Sequence, residues 1–382
     1  HCISSAASDV YKRQALDELA TIKYGKNQKK VLSENGNIPI YGTGGLMGYA
    51  TTALYDKPSV LIGRKGTIGK VKYVEQPFWT VDTLFYTIVN THIVLPKYLY
   101  YVMSLIDLNI YNEGTTIPSL RTETLNRLEF DIPSLREQEM ILSCLNPIDE
   151  KIELNNAINN NLEQQATAIF DKALQQASSL SYTELGTLGN VKGGKRLPKG
   201  TKLITEPNSH PYIRVRDLNN VVFATLSSEY EYIDDETQKS IARYITSSGD
   251  VLISIVGTIG LTAIVDSSLN NANLTENCVK VTNLNGITSE YLLLYLRSAA
   301  GIEAIAKGTV GAVQLKLPIK NIQAIPVPLL TKSEAESLSE VLAVLFNQIA
   351  ANVSESKSLE KTRDALLQNL MSGKLDVSHI DL

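Results

Sequence analysis

Apolar positions along this chain follow two rhythms. Residues 60–62 and 251–255 are short, β-branched apolar runs closed by glycines, the pattern of buried strands. Residues 95–108 and 289–306 instead place apolar side chains at helical spacing with polar interruptions. Pro133 and Pro328 follow each set and mark the approach to a further helix, since proline suits a helix's start better than its interior. Beyond them lie two much longer stretches, residues 135–177 and 332–371, almost free of glycine, with apolar residues alternately three and four apart. Both are predicted to be long helices. A helix of some thirty residues spans about 45 Å.

The pattern repeats. Ser59-Val60-Leu61-Ile62-Gly63-Arg64-Lys65-Gly66-Thr67-Ile68-Gly69 aligns without gaps on Asp250-Val251-Leu252-Ile253-Ser254-Ile255-Val256-Gly257-Thr258-Ile259-Gly260, sharing Val-Leu-Ile and the whole Gly-Thr-Ile-Gly. The flanks recur in the same order: Leu16-Asp17-Glu18-Leu19 with Thr21-Ile22 on Tyr182-Thr183-Glu184-Leu185 with Thr187-Leu188, Tyr98-Leu99-Tyr100-Tyr101 on Tyr291-Leu292-Leu293-Leu294, and Ile132-Pro133 on Val327-Pro328. Order kept over a hundred residues marks an internal duplication. The halves differ most between residues 23 and 58 and between 189 and 249, where specificity would diverge.

The long helices repeat too. Ile141, Leu145, Ile148, Ile152, Asn155, Asn159, Leu162, Ala166, Ile169 and Ala173 form one seam; Leu338, Val341, Leu345, Gln348 or Ile349, Asn352, Ser356, Leu359, Arg363, Leu366 and Leu370 form the other. A polar layer inside an apolar heptad seam lowers stability but fixes register. The central layers, Asn155 and Asn159 against Asn352 and Ser356, meet if the helices run antiparallel. The competing arrangement packs each helix on its own domain with the asparagines exposed. The expected fold class is α+β: two similar mixed α/β domains, residues 15–134 and 181–331, separated by two long helices, 135–180 and 332–376, that form an antiparallel coiled coil with pseudo-twofold symmetry. Residues 1–14 are expected to be a tail, native or an artefact, and residues 377–382 a second tail.

With 382 residues and 43% hydrophobic composition, two packed cores are accessible. No apolar run approaches the roughly 20 residues that cross a bilayer. Cys2, Cys144 and Cys278 are odd in number and widely spaced, which suggests neither disulfides nor a zinc knuckle and fits a reducing cytoplasm. His1, His92, His210 and His379 show no metal-ligand spacing. Neither a nucleophile elbow nor a dinucleotide fingerprint occurs. Gly189-Asn190-Val191-Lys192-Gly193-Gly194-Lys195-Arg196 meets the P-loop spacing until its last position, where Arg196 replaces the magnesium-binding Ser or Thr and Pro198 follows. A nucleotide-binding enzyme built on this loop is therefore disfavoured. The Gly-Thr-Ile-Gly copies are compatible with a phosphate cradle of backbone amides or with a tight turn between core strands.

Net charge is −4, yet charge is unevenly placed. Lys192, Lys195, Arg196, Lys199, Lys202, Arg214 and Arg216 concentrate in one stretch of the second half. The matching stretch of the first half has Lys23, Lys26, Asn27, Lys29 and Lys30, with Arg64 and Lys65 beside the repeated turn. Lys and Arg attract phosphates regardless of sequence, whereas Arg, Asn and Gln can bond base edges. A charge run alone is usually a solvated face. Recurrence at equivalent places beside glycine turns favours DNA contact by these residues, with the turn threonines Thr67 and Thr258.

These features together resemble the DNA-specificity subunits of type I restriction-modification enzymes. The resemblance spans residues 16–375 and rests on the duplicated domain–helix order and the paired Gly-Thr-Ile-Gly turns. Two further segments carry it: Ile132-Pro133-Ser134-Leu135-Arg136-Glu137-Gln138-Glu139-Met140-Ile141, and Leu366-Leu367-Gln368-Asn369-Leu370-Met371-Ser372-Gly373-Lys374-Leu375. The resemblance implies two target recognition domains, each reading half of a split, asymmetric double-stranded DNA site, with the helix pair as a ruler. It implies a non-catalytic chain that binds no cofactor itself. Two modification subunits carrying S-adenosylmethionine would dock on it, and restriction/translocase subunits would join. Lys332-Ser333 stands where the family's Glu-Gln is expected at the second helix, and the chain starts abruptly before Leu16. A protein-docking scaffold without its own DNA preference is the competing reading.

Overall fold

The computed structural model describes residues 12–228, 230–372 and 374–375; the remaining residues, including the expected tail 377–382 and residues 1–11 of the first, lie outside the described residues. The chain divides into two compact units, residues 1–151 with 358–382, and residues 152–357.

In the first unit a four-stranded antiparallel sheet runs in the order Ala20–Tyr24, Leu84–Val89, Ser59–Gly63, Val71–Val74. Its strand Ser59–Gly63 is buried throughout because both faces are covered. Val60 and Ile62 join Phe85, Leu16, Leu19 and the helix Pro96–Ser104 on one side, while Leu61 joins Tyr41, Phe78 and Tyr86 on the other. That is the period-two alternation of a strand with two dry faces. Beside it lies a second sheet, Gly45–Ala50, Ile38–Gly42 and Trp79–Thr80, with the last two strands parallel.

The second unit repeats this plan. Its main sheet runs Asn190–Gly193, Cys278–Thr282, Val251–Ser254, Thr262–Val265, with the short strand Phe223–Ala224 added at the edge. Val251 and Ile253 face the helix Ser289–Arg297, and Leu252 faces Ile213, Tyr230 and Tyr232. Tyr212–Ile213 pairs in parallel with Asn273–Leu274, as Ile38–Gly42 does with Trp79–Thr80. Among the described residues the hairpin strand Gly45–Ala50 has no counterpart there; the short helices Val215–Leu218 and Asp235–Ser240 fill the corresponding length. This falls within the segments where the two sequences diverge.

The strand pairing corrects the alignment of the flanks. Lys12–Ala15 pairs with Glu129–Ile132, and Ser181–Glu184 with Pro326–Leu329. Lys12, Arg13 and Gln14 thus belong to a two-stranded sheet of the first unit, not to a tail. Ile132 corresponds to Leu329 rather than Val327. One helical turn follows each first strand, Leu16–Leu19 and Leu185–Leu188, so Leu16 matches Leu185 and Leu19 matches Leu188. Both turns bury leucines three apart, a spacing that a shifted Glu-Leu match imitates.

The long helices are Leu135–Gln175 and Lys332–Met371. The first contains Pro147, exposed in its interior, where a missing amide ordinarily costs about 3 kcal/mol. Leu145 and Ile152, buried on either side, hold the helix through it. Within the second unit Asn159 meets Asn352 and Asn155 meets Ser356, so the helices run antiparallel. Of the expected seam, Ile152, Asn155, Ile349 and Asn352 are buried, while Ile148, Leu162, Ile169, Leu345, Leu359 and Leu366 are half-buried. Val341 is exposed; Leu342 and Phe346 take the buried positions instead. The apolar face is wider than a two-stranded seam because the helices also pack on the domain: Phe346 stacks edge-on against Phe223 and Phe170 against Tyr291.

The start of each long helix revises one further comparison. Ser134 Oγ accepts the Glu137 amide, and Glu334 accepts both the Thr331 amide and its hydroxyl. Glu334 therefore stands at the place of Glu137, and Ala335 at that of Gln138; Lys332-Ser333 precede them. Gln138 is fully buried, donating to the carbonyls of Ile93 and Pro133 and accepting the Leu95 amide.

Candidate nucleic-acid interface

In the first unit, three segments converge at one end of the main sheet. The Ala20–Tyr24 strand ends where Leu84–Val89 begins and Ser59–Gly63 ends. The loop after Tyr24 turns at Gly25, where a Cβ would sit 2.0 Å from the Val81 carbonyl. It is pinned by the Lys26 amide on Thr80 O and by Trp79 Nε1 on Lys26 O, both 2.8 Å. Asn27 Oδ1 accepts the Lys29 amide, so its side chain shapes the loop. Lys23, Lys26, Lys29 and Lys30 are exposed. Arg64 lies 5.0 Å from the Tyr24 ring and donates to Asp82 O; Lys65 and Thr67 are exposed on the following turn.

Part of that turn's backbone is already engaged. The amides of Arg64, Lys65 and Gly66 are committed to Thr83 O and Pro118 O. Gly66 has a φ of +87°, and its equivalent Gly257 one of +80°, the left-handed conformation for which glycine is favoured. In the second unit the Thr258 carbonyl accepts Ser254 Oγ, closing the turn internally, and the Thr258 side chain is exposed.

The same end of the second sheet carries Lys192 and the loop beyond Gly193. Asn190–Gly193 is a strand paired with Cys278–Thr282, so residues 189–196 do not form a phosphate-binding loop. The Lys195 ammonium lies 5.6 Å from the Tyr244 ring, with its amide on Leu274 O. Lys199 and Lys202 are exposed. Three arginines of the basic run are engaged. Arg196 pairs with Glu276 at 2.7 Å, and the Glu276 carboxyl is held below its ordinary value: burial raises it, but hydrogen bonds led by Arg196 prevail. Arg214 and Arg216 both reach Glu231, and Arg216 also approaches Asp217. Burial, then the neighbouring Arg216, push the Arg214 pKa down. Arg214 is thus half-buried on Glu231, while Arg216 bonds the same carboxylate with its side chain exposed. Glu231 and Glu276 arrive from later loops, so counting charge along the chain could not reveal the pairing.

Sequence reasoning passed over two exposed features at this end. The hairpin of Ile38–Gly42 and Gly45–Ala50 exposes Leu46, Met47 and Tyr49, and its Thr43 Oγ1 lies 3.8 Å from a Cβ built on Gly66. A loop at residues 113–119 in the first unit and one at 310–316 in the second rest on the repeated turns. The signal for the loops was Gly114 and Gly311, each followed six residues later by a buried leucine, Leu120 or Leu317. Among the described residues no cluster of His, Cys, Asp and Glu could hold a metal ion, and no helix is long and apolar enough to cross a membrane.

Comparison with known proteins agrees with the duplication. The type I restriction modification DNA specificity domain matches twice, over residues 9–164 and 180–361, and the chain belongs to this family. It is 22% identical over 378 residues to the type I restriction enzyme HindI specificity subunit of Haemophilus influenzae, covering 78% of this chain and 81% of that one. The MjaIX specificity subunit of Methanocaldococcus jannaschii is 22% identical over 360 residues, covering 86% and 80%. In fold the chain resembles a type I restriction-modification S subunit from M. genitalium, with a TM-score of 0.50 and 19% identity over 96% of this chain and 97% of that one.

Proposed function

We propose that this chain is the DNA-specificity subunit of a type I restriction-modification complex, each of its two domains reading one half of an asymmetric bipartite site. The observation that carries this reading is the repeated sheet end. Each half presents a lysine-bearing loop beside a Gly-Thr-Ile-Gly turn, on the same strand order but with different sequence. A shared scaffold with unlike loops is what two different half-sites require. The chain itself is non-catalytic in this reading. Two modification subunits bring S-adenosylmethionine, a restriction/translocase subunit completes the complex, and the reactions take place in the cytoplasm. Leu154 and Ile158 on the first long helix, and Val341 and Val344 on the second, are exposed apolar side chains that suit docking of partner helices.

Sequencing of methylated positions in cells carrying this chain with its modification subunit tests the reading; a split recognition sequence is expected. A complex that methylates without a defined sequence would instead favour a docking scaffold. Deleting one heptad from both long helices tests the ruler: the gap between the half-sites changes and the half-sites do not, since DNA advances about 3.4 Å per base pair.

A further inference from the structure

The loops at residues 113–119 and 310–316 are built alike. Each leaves the helical part of its domain, closes on itself, and returns to a buried leucine. In the first, the Glu113 amide bonds Ser119 O at 2.9 Å; in the second, Val310 and Lys316 exchange amide–carbonyl bonds of 2.8 and 2.9 Å. Both are fastened to the repeated turn: Lys65 bridges Ser119 and Val256 bridges Lys316, while the Leu120 amide bonds Arg64 O and the Leu317 amide bonds Ile255 O. Each bend needs glycine. A Cβ on Gly114 would lie 1.9 Å from the Ile117 carbonyl, and one on Gly311, at a φ of +116°, would lie 2.3 Å from the Gln314 carbonyl.

What the shared frame carries differs. The first tip is Thr115-Thr116-Ile117-Pro118, the second Ala312-Val313-Gln314-Leu315; no position is identical and no residue is charged. Both stand in solvent, with Ile117 60% and Leu315 55% exposed and Val313 fully so. Apolar side chains held out on a rigid, hydrogen-bonded base gain by burial against a partner. Around the bases stand exposed cations: Lys65 beside the first, Lys316 within the second, and Lys192 on the strand whose Gly193 approaches Ile319. Cations placed to hold phosphates, flanking an uncharged tip of methyl, hydroxyl and amide groups, match the division between backbone positioning and base reading. Thymine methyls accept apolar contacts, and a glutamine amide can bond adenine at N6 and N7 together on its major-groove edge.

We propose that these loops are paired recognition fingers, one for each half-site, whose tips contact base edges and set part of the sequence preference. This rests on the DNA-specificity reading above and assigns the base-reading role to residues outside the basic loops.

The test uses the assembled complex with its modification subunits. Thr116→Ala with Ile117→Ala forms one variant, Val313→Ala with Gln314→Ala the other, and binding to the wild-type site and its single-base variants is measured across salt concentrations. Each variant is expected to lose discrimination by roughly tenfold at one or two positions of one half-site, with the other half-site and the salt slope unchanged. Grafting Ala312-Val313-Gln314-Leu315 in place of residues 115–118 is expected to alter the first half-site alone. The proposal is overturned if the variants read the wild-type sequence with undiminished discrimination, if affinity falls equally for every sequence, or if only assembly with the modification subunits weakens. A wild-type complex that recognises no defined sequence removes the specificity reading itself, and the fingers with it.

Discussion

Arg363 Nη1 lies 3.2 Å from Asp149 Oδ1, joining the two long helices within the first unit. The same carboxylate receives the Tyr101 hydroxyl and stands 3.4 Å from Lys97 Nζ, both from the domain's helix Pro96–Ser104. One carboxylate thus ties together three helices, with its side chain only 14% exposed. Asp149→Ala would take one carboxylate partner from Lys97, Tyr101 and Arg363, of which Arg363 keeps Asp364. Loss of about 3 kcal/mol is expected, read from the shift in chemical denaturation. A loss below about 0.5 kcal/mol would show that the cluster is solvated enough to be incidental.

At the place of Gln138 in the first unit, the second unit has Ala335. The Gln138 amide closes three backbone groups, so Gln138→Leu should cost about 2–3 kcal/mol, whereas Ala335→Leu at the equivalent place should cost much less. Equal losses at both positions, measured by thermal unfolding, would mean that packing rather than hydrogen bonding sets the value.

Asn155 donates to Glu355, Ser356 and the Asn352 carbonyl, but its own buried oxygen has no partner. A polar layer satisfied on one side only is costly to bury. Asn155→Leu with Ser356→Ala is therefore expected to raise the melting temperature by a few degrees. A fall of that size would identify the layer as a net stabiliser.

Glu334 is held down to about 2 from an ordinary 4.5, first by the Thr331 hydroxyl and then by the Ser178 amide. A depressed carboxylate stabilises fully above its ordinary value, and that contribution fades as pH falls from 4.5 towards 2. Glu334→Gln should lower stability at neutral pH and flatten the acid limb over that interval. An acid limb identical to wild type would locate the titration elsewhere.

Lys195 and Lys199 are exposed, whereas Arg214 is stapled to Glu231. In the assembled complex, Lys195→Ala with Lys199→Ala should reduce the slope of log affinity against log salt by about 2, one phosphate each. Arg214→Ala should leave that slope intact and destabilise the fold by about 2 kcal/mol. The reverse pattern would restore Arg214 to the DNA surface and remove the lysines from it.

The periodicity located both long helices at Leu135 and Lys332, because thirty-odd residues at a constant spacing average over local exceptions such as Pro147. The duplicated central strands were equally legible, since a strand dry on both faces admits few residue types. Short elements were not. The single turns at Leu16 and Leu185 have two leucines each to report their register, and a three-residue slip matched as well. At the candidate interface, sequence pointed to the lysine loops, which the structure finds exposed, but could not separate a free arginine from one paired with Glu231 or Glu276. The fingers left no hydrophobic pattern at all, because their apolar residues face water.

Thr288 caps its own helix by accepting the Tyr291 amide, while the corresponding helix in the first half has no side-chain cap, and the Leu95 amide just before it is held by Gln138 on the neighbouring long helix. The second half therefore carries its terminus-sealing chemistry inside the segment that would be exchanged in a recombination event. The first half must be transplanted with its Gln138, or the Leu95 amide ahead of its helix loses its partner. A chimera joined after residue 134 inherits this dependence and one joined after residue 138 does not.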